Sequence, residues 1–148
     1  MKNVLIVEDN NFKRMKIREH IEINAEEILI YEACSFTSAW QCILDHSYDL
    51  IILDMSLPTF DVSDVESGGT FRALGGRELA KKMYRRKINT PFVIMTHYKN
   101  FSDDINTYTF DTLKEEMLNS FPNQCISFIY FSSNSSDWRV NLDEVIKL

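Results

Sequence analysis

Leu50-Ile51-Ile52-Leu53-Asp54-Met55-Ser56-Leu57-Pro58 carries four apolar residues into a single carboxylate and closes on a proline. A short apolar run bounded by turn formers is the pattern of a strand buried on both faces, and such strands belong to parallel sheets covered by helices. In open sheets of this class, ligands gather just past the carboxyl ends of the strands. Asp54 is therefore expected at the working edge of the sheet.

Comparable runs, rich in β-branched or aromatic residues, recur at Val4 to Val7, Ile28 to Tyr31, Leu50 to Leu53, Phe92 to Met95 and Ile126 to Phe131, which predicts five strands. Between them lie segments of helical spacing: Phe12, Met15 and Ile21; Ala39, Trp40, Ile43 and Leu44; Leu79, Ala80 and Met83; Leu113, Met117, Leu118 and Phe121. Leu142, Val145 and Ile146 mark a fifth helix. Thr37 or Ser38 is expected to cap the second helix and Asp111 the fourth, because their oxygens can accept from unpaired backbone N–H groups. Alternating strands and helices require right-handed crossovers, hence an α/β fold: a doubly wound five-stranded parallel sheet with helices on both faces. Two connections exceed the usual length of about two to six residues. One is an inserted loop at 59–74, and the other an extended loop at 97–110.

The 148 residues suit one domain, 1–148, with its own core. With 22 acidic against 16 basic residues and a net charge of -6, the chain has no global field for nucleic acid or an anionic membrane. The basic run Lys81, Lys82, Arg85, Arg86 and Lys87 reads as a solvated helical face. Three cysteines, Cys34, Cys42 and Cys125, lack the spacing of a disulfide framework or a zinc site. Only four apolar residues precede Glu8 and Asp9, which fits neither a signal peptide nor a membrane span, so a cytoplasmic location is expected.

The first strand ends in Glu8-Asp9 and the third in Asp54. In a sheet of flavodoxin-like order these strands are neighbours at the switch point, so three acids converge in one cleft. Like charges at close range resist ionisation unless a cation neutralises them, and a hard ion such as Mg²⁺ suits oxygen donors. One carboxylate beside such a metal can act as a nucleophile toward phosphorus. The fourth strand ends in Thr96, whose hydroxyl is placed to bond a phosphoryl group.

These residues resemble the receiver domain of two-component response regulators, through "VLIVEDN" (4–10), "DLIILDMSLP" (49–58), "GGREL" (75–79) and "TPFVIMT" (90–96). The resemblance covers most of the chain. It implies a CheY-like strand order 2-1-3-4-5, with Asp54 as phosphoacceptor and Thr96 as switch hydroxyl. Glu8, Asp9, Asp54 and the backbone carbonyl of Ser56 are then the magnesium ligands. It also implies a stand-alone signalling switch, with no enzymatic activity beyond Mg²⁺-dependent self-phosphorylation and autodephosphorylation. A sensor histidine kinase or phosphotransfer protein would donate the phosphoryl group, and a separate effector would receive the signal; homodimerisation stays open. Members of this family place a lysine, followed by a proline, at the end of the fifth strand. Here that strand reads Cys125-Ile126-Ser127-Phe128-Ile129-Tyr130-Phe131-Ser132-Ser133, with neither. Lys99 is the nearest substitute in sequence, and His97 is a second departure, standing where the family has a small residue. The missing lysine motivates an alternative, a pseudo-receiver that binds a partner without a phosphorylation cycle. A phosphatase of the haloacid dehalogenase kind is disfavoured, because Asp54-Met55-Ser56 lacks the second aspartate.

Overall fold

The computed structural model describes residues 2–25, 27–62 and 68–146. Five parallel strands form the sheet: β1 (Lys2–Val7), β2 (Ile28–Ala33), β3 (Leu50–Leu53), β6 (Phe92–Thr96) and β9 (Cys125–Tyr130). Their order is β2-β1-β3-β6-β9, the expected doubly wound arrangement. The helices are α1 (Asn11–Asn24), α2 (Phe36–Asp45), α3 (Gly75–Arg85), α4 (Phe110–Ser120) and α5 (Asp137–Ile146).

Strand side chains alternate between faces, and each face has its own core. Leu5, Val7, Ile51, Leu53, Ile94 and Phe128 pack against α2, α3 and α4 through Ala39, Ile43, Leu79, Met83, Leu113 and Met117. Val4, Ile6, Ile52, Val93 and Ile129 face the other way, onto Ile17 and Ile21 of α1 and Trp138, Leu142 and Val145 of α5. Each of the larger aliphatic side chains contributes roughly 1.5–3 kcal/mol by leaving water, so the sheet is held from both sides.

The first helix presents a different face from the expected one. Lys13, Ile17 and Ile21 are buried, whereas Phe12 and Met15 are each 52% exposed. The caps also differ. Ser35, not Thr37 or Ser38, caps α2, with Ser38 completing a capping box, and Thr109, not Asp111, caps α4 in the same way with Thr112. In both cases the hydroxyl lies one position before the helical residues, where it can reach the N3 amide.

Both long connections carry small hairpins. β4 (Leu57–Pro58) pairs antiparallel with β5 (Phe71–Arg72) at the base of the 59–74 insertion, of which 63–67 lies outside the described residues. β7 (Asn100–Ser102) pairs with β8 (Thr107–Thr109) inside the 97–110 segment, and Phe101 anchors that hairpin in the core. All three cysteines are free. No described helix is long and apolar enough to cross a membrane.

Candidate phosphoryl-acceptor site

Register brings the acids together. Val7 at the end of β1 pairs with Leu53 at the end of β3 and with Ala33 at the end of β2. The ladder continues one residue further: the Glu8 amide donates to the Ala33 carbonyl and the Asp54 amide to the Val7 carbonyl, each at 3.0 Å. Glu8 and Asp54 thus leave adjacent strands at the same level, and they are only 1% and 2% exposed. Thr96, at the end of β6, is fully buried, and its hydroxyl accepts from the Tyr98 amide at 3.2 Å.

The described residues contain one group of three metal-capable side chains, Glu8, Asp54 and His97, whose donor atoms lie within 4.8 Å of one another. Asp9, the other acid expected here, is open to solvent and outside that group. Its carboxyl is nonetheless pushed up to about 6, by partial burial first and then by its neighbour Glu8. Glu8 itself is pushed up to about 7, chiefly by burial and next by the charge of Asp54, which outweigh the opposing pull of Lys13. Burial, with the charge of Lys13 adding to it, holds His97 below its ordinary value. Ser56 is buried and its hydroxyl donates to the Ala73 carbonyl at 2.8 Å. That side chain is therefore committed, and its backbone carbonyl is the group left for a metal.

The cleft has its own cation, Lys13 of α1, which the sequence reasoning missed. It is 2% exposed, and its ammonium lies 2.5 Å from Glu8 Oε1 and 3.4 Å from Asp54 Oδ1 while donating to the Met95 carbonyl at 2.7 Å. The first turn of α1 holds its backbone in place, since the Asn10 side chain accepts from the Lys13 amide at 2.9 Å. A cation in the first turn of a helix opposes the helix dipole, so the two acids are what make the placement tolerable. Its periodicity was the available signal: Lys13, Ile17 and Ile21 recur at four-residue steps along one buried stripe. Lys99, by contrast, rests its ammonium 5.3 Å from the ring centre of Tyr130, away from the acids.

Glu8 Oε1 and Asp54 Oδ1 are buried without an aligned hydrogen bond, so charge alone ties them to Lys13. Buried acceptors of this kind require a cation or a proton, and hard oxygen donors fit Mg²⁺. The residues present therefore suit the metal.

The model of the response regulator receiver domain matches residues 4–113. The chain is 29% identical over 141 residues to the Detocs response regulatory protein DtcB of Enterobacter cloacae, covering 94% of each chain. It is 27% identical over 139 residues to the uncharacterized protein y4jR of Sinorhizobium fredii, covering 91% of this chain and 90% of that one. Among solved structures it is similar to the Thermotoga maritima response regulator TrrA in complex with Mg²⁺ and beryllium fluoride, with a TM-score of 0.62 and 23% identity over 99% of this chain and 97% of that one. The non-phosphorylated HemR receiver domain of Leptospira biflexa aligns with a TM-score of 0.64 and 20% identity over 100% and 96%. These two structures share the fold. With the family model spanning most of the chain and the acids standing at the ends of β1 and β3, the chain belongs to the response regulator receiver domain family.

Proposed function

We propose that the chain is a phosphorylation-dependent switch in which Asp54 accepts a phosphoryl group from a sensor histidine kinase or phosphotransfer protein and the altered surface engages a separate effector. The observation that carries this reading is the burial of Asp54 beside Glu8 and Lys13 at the carboxyl edge of adjacent strands. A carboxylate oxygen of Asp54 attacks the phosphorus. The bond from phosphorus to the donor's nitrogen or oxygen breaks, its electron pair leaves with the donor, and an acyl phosphate forms on Asp54.

Glu8, Asp9, Asp54 and the Ser56 carbonyl are the groups that would hold Mg²⁺. When bound, the metal supplies positive charge against the phosphoryl oxygens. The chain's own residues do the rest. Glu8 and Asp54 are held at one level by the β1–β3 ladder, Thr96 stands at the end of the next strand to bond a phosphoryl oxygen, and the hydrophobic shell around them excludes water. The site offers no second aspartate beside Asp54 to act as acid and base, so the acyl phosphate is an end state for signalling and not a step in ester turnover.

The experiment is direct. Incubation of the purified protein with Mg²⁺ and a small acyl phosphate is expected to add one phosphoryl group, read by intact mass. Asp54→Asn is expected to add none. Equal modification of both proteins, or of neither, removes the proposal.

A further inference from the structure

β9 runs out through Phe131, Ser132 and Ser133 without a basic residue, and between these residues, Lys13 and His97 lies a cavity of about 260 Å³. The only ammonium among the described residues that touches the buried acids enters from the opposite wall, on α1. We propose that Lys13 is the working cation of this site, relocated from the end of the last strand to the first turn of α1, and that it balances Glu8 and Asp54 before transfer and pairs with the phosphoryl oxygens after it. The second half rests on the reading of Asp54 as acceptor; the first does not.

Three features support a working part over a structural ion pair. The ammonium stands among three groups that belong to three different strand ends: it pairs by charge with the Glu8 carboxylate after β1 and the Asp54 carboxylate after β3, and it donates a hydrogen bond to the Met95 carbonyl in β6. Its contact with Asp54, at 3.4 Å, is the longest of the three, so that partner is the one most readily exchanged for a new anion bonded to the same carboxylate. The stem approaches past Phe131, whose ring centre is 5.8 Å from the ammonium, and the adjoining cavity leaves the head free to follow a charge that moves outward from Asp54. A lysine buried to this degree is rare unless paired, and this one is paired only with groups of the site.

If Lys13 occupies the acids, it also competes with metal. The test compares wild type with Lys13→Met, Lys13→Arg and Lys99→Met in two assays. In a Mg²⁺ titration followed by tryptophan fluorescence, Lys13→Met is expected to bind at least about tenfold tighter than wild type, because removing a unit charge a few ångströms away relieves repulsion. In labelling with a small acyl phosphate at saturating Mg²⁺, Lys13→Met is expected to slow by about ten- to hundredfold, the worth of one charge-assisted contact. Lys13→Arg is expected to recover part of that rate, and Lys99→Met to match wild type in both assays. A structural role alone would not tighten metal binding while slowing transfer. Unchanged Mg²⁺ affinity, or unchanged labelling, in Lys13→Met overturns the proposal. A wild type that binds Mg²⁺ yet never labels overturns instead the phosphoacceptor reading, and the metal assay still decides the charge role of Lys13. Should Lys13→Met fail to fold, the side-chain ammonium resonance of Lys13 in ¹⁵N-lysine-labelled wild type is expected to shift on adding Mg²⁺ and beryllium fluoride; a resonance that stays in place overturns the proposal.

Discussion

A Cβ on Gly76 would lie 2.5 Å from the carbonyl oxygen of Asp54 and 3.0 Å from the Cα of Met55, so the first turn of α3 presses backbone against backbone at the acceptor residue. The Gly76 amide uses that approach to donate to the Met55 carbonyl at 2.7 Å. Backbone cannot give way as a flexible side chain can. Gly76→Ala is expected to cost about 1–3 kcal/mol, read by chemical denaturation, and to displace Asp54. A loss below about 0.5 kcal/mol would show that α3 simply shifts aside.

Glu8 titrates against the stability of the metal-free protein. Its carboxyl is raised from 4.5 to about 7 by burial first and Asp54 second, so between these values the folded protein holds a proton that the unfolded chain has released. Stability is therefore expected to fall as pH rises through that window, and this contribution is fully present only below the lower value. Denaturation at a series of pH values should show the slope in wild type and a shallower one in Glu8→Gln, where the raised carboxyl of Asp9 still contributes. Added Mg²⁺ should displace the same proton, so its affinity should rise with pH up to about 7.

Thr96 is buried, and its hydroxyl is bonded to the Tyr98 amide. Removing it in Thr96→Ala leaves that amide without its acceptor and should cost about 1 kcal/mol. The readout of its switch role is separate. Beryllium fluoride should change the fluorescence of Trp138, which is buried against Phe131 at the end of β9 with ring centres 4.9 Å apart. That change should survive in Thr96→Ser and vanish in Thr96→Ala while Asp54 still accepts phosphate.

Arg77 fastens the β7–β8 hairpin to two helices. One of its guanidinium nitrogens lies 3.0 Å and 3.1 Å from the two carboxylate oxygens of Glu116 on α4, and the guanidinium stands 5.0 Å from the ring centre of Tyr108 in β8. The pair is partly open to water, so Arg77→Ala should cost no more than about 1 kcal/mol globally. Amide exchange in 100–109 should nevertheless accelerate; unchanged exchange would mean that Phe101 alone holds the hairpin.

The stretch from Leu50 to Leu53 was legible to the residue, because a buried parallel strand is a short unbroken apolar run and the flanking turn formers set its length. Its neighbours at β1, β2, β6 and β9 were found with boundary shifts of one or two residues, and the topology rule for such sheets then placed Glu8 beside Asp54. The hairpin strands were not found, since Leu57–Pro58 and Asn100–Ser102 are too short to show a period. Lys13 was missed for a chemical reason. A charged residue at a helical position is ordinarily assigned to the solvent face, so the buried stripe was phased on Phe12 and Met15 instead. Only the demand of two buried acids for a counter-charge reverses that assignment, and that demand becomes visible once the strands are assembled.

The relocation of the cation gives the cleft an unusual economy of chain. Glu8, Asp9 and Lys13 lie within one stretch of six residues, whose backbone turns from strand to helix at Asn10. The negative and positive charges around Asp54 are thus set by a single local segment, so a graft of that segment carries them together, and any partner that tilts α1 changes the field at the acceptor without touching the strand that bears it.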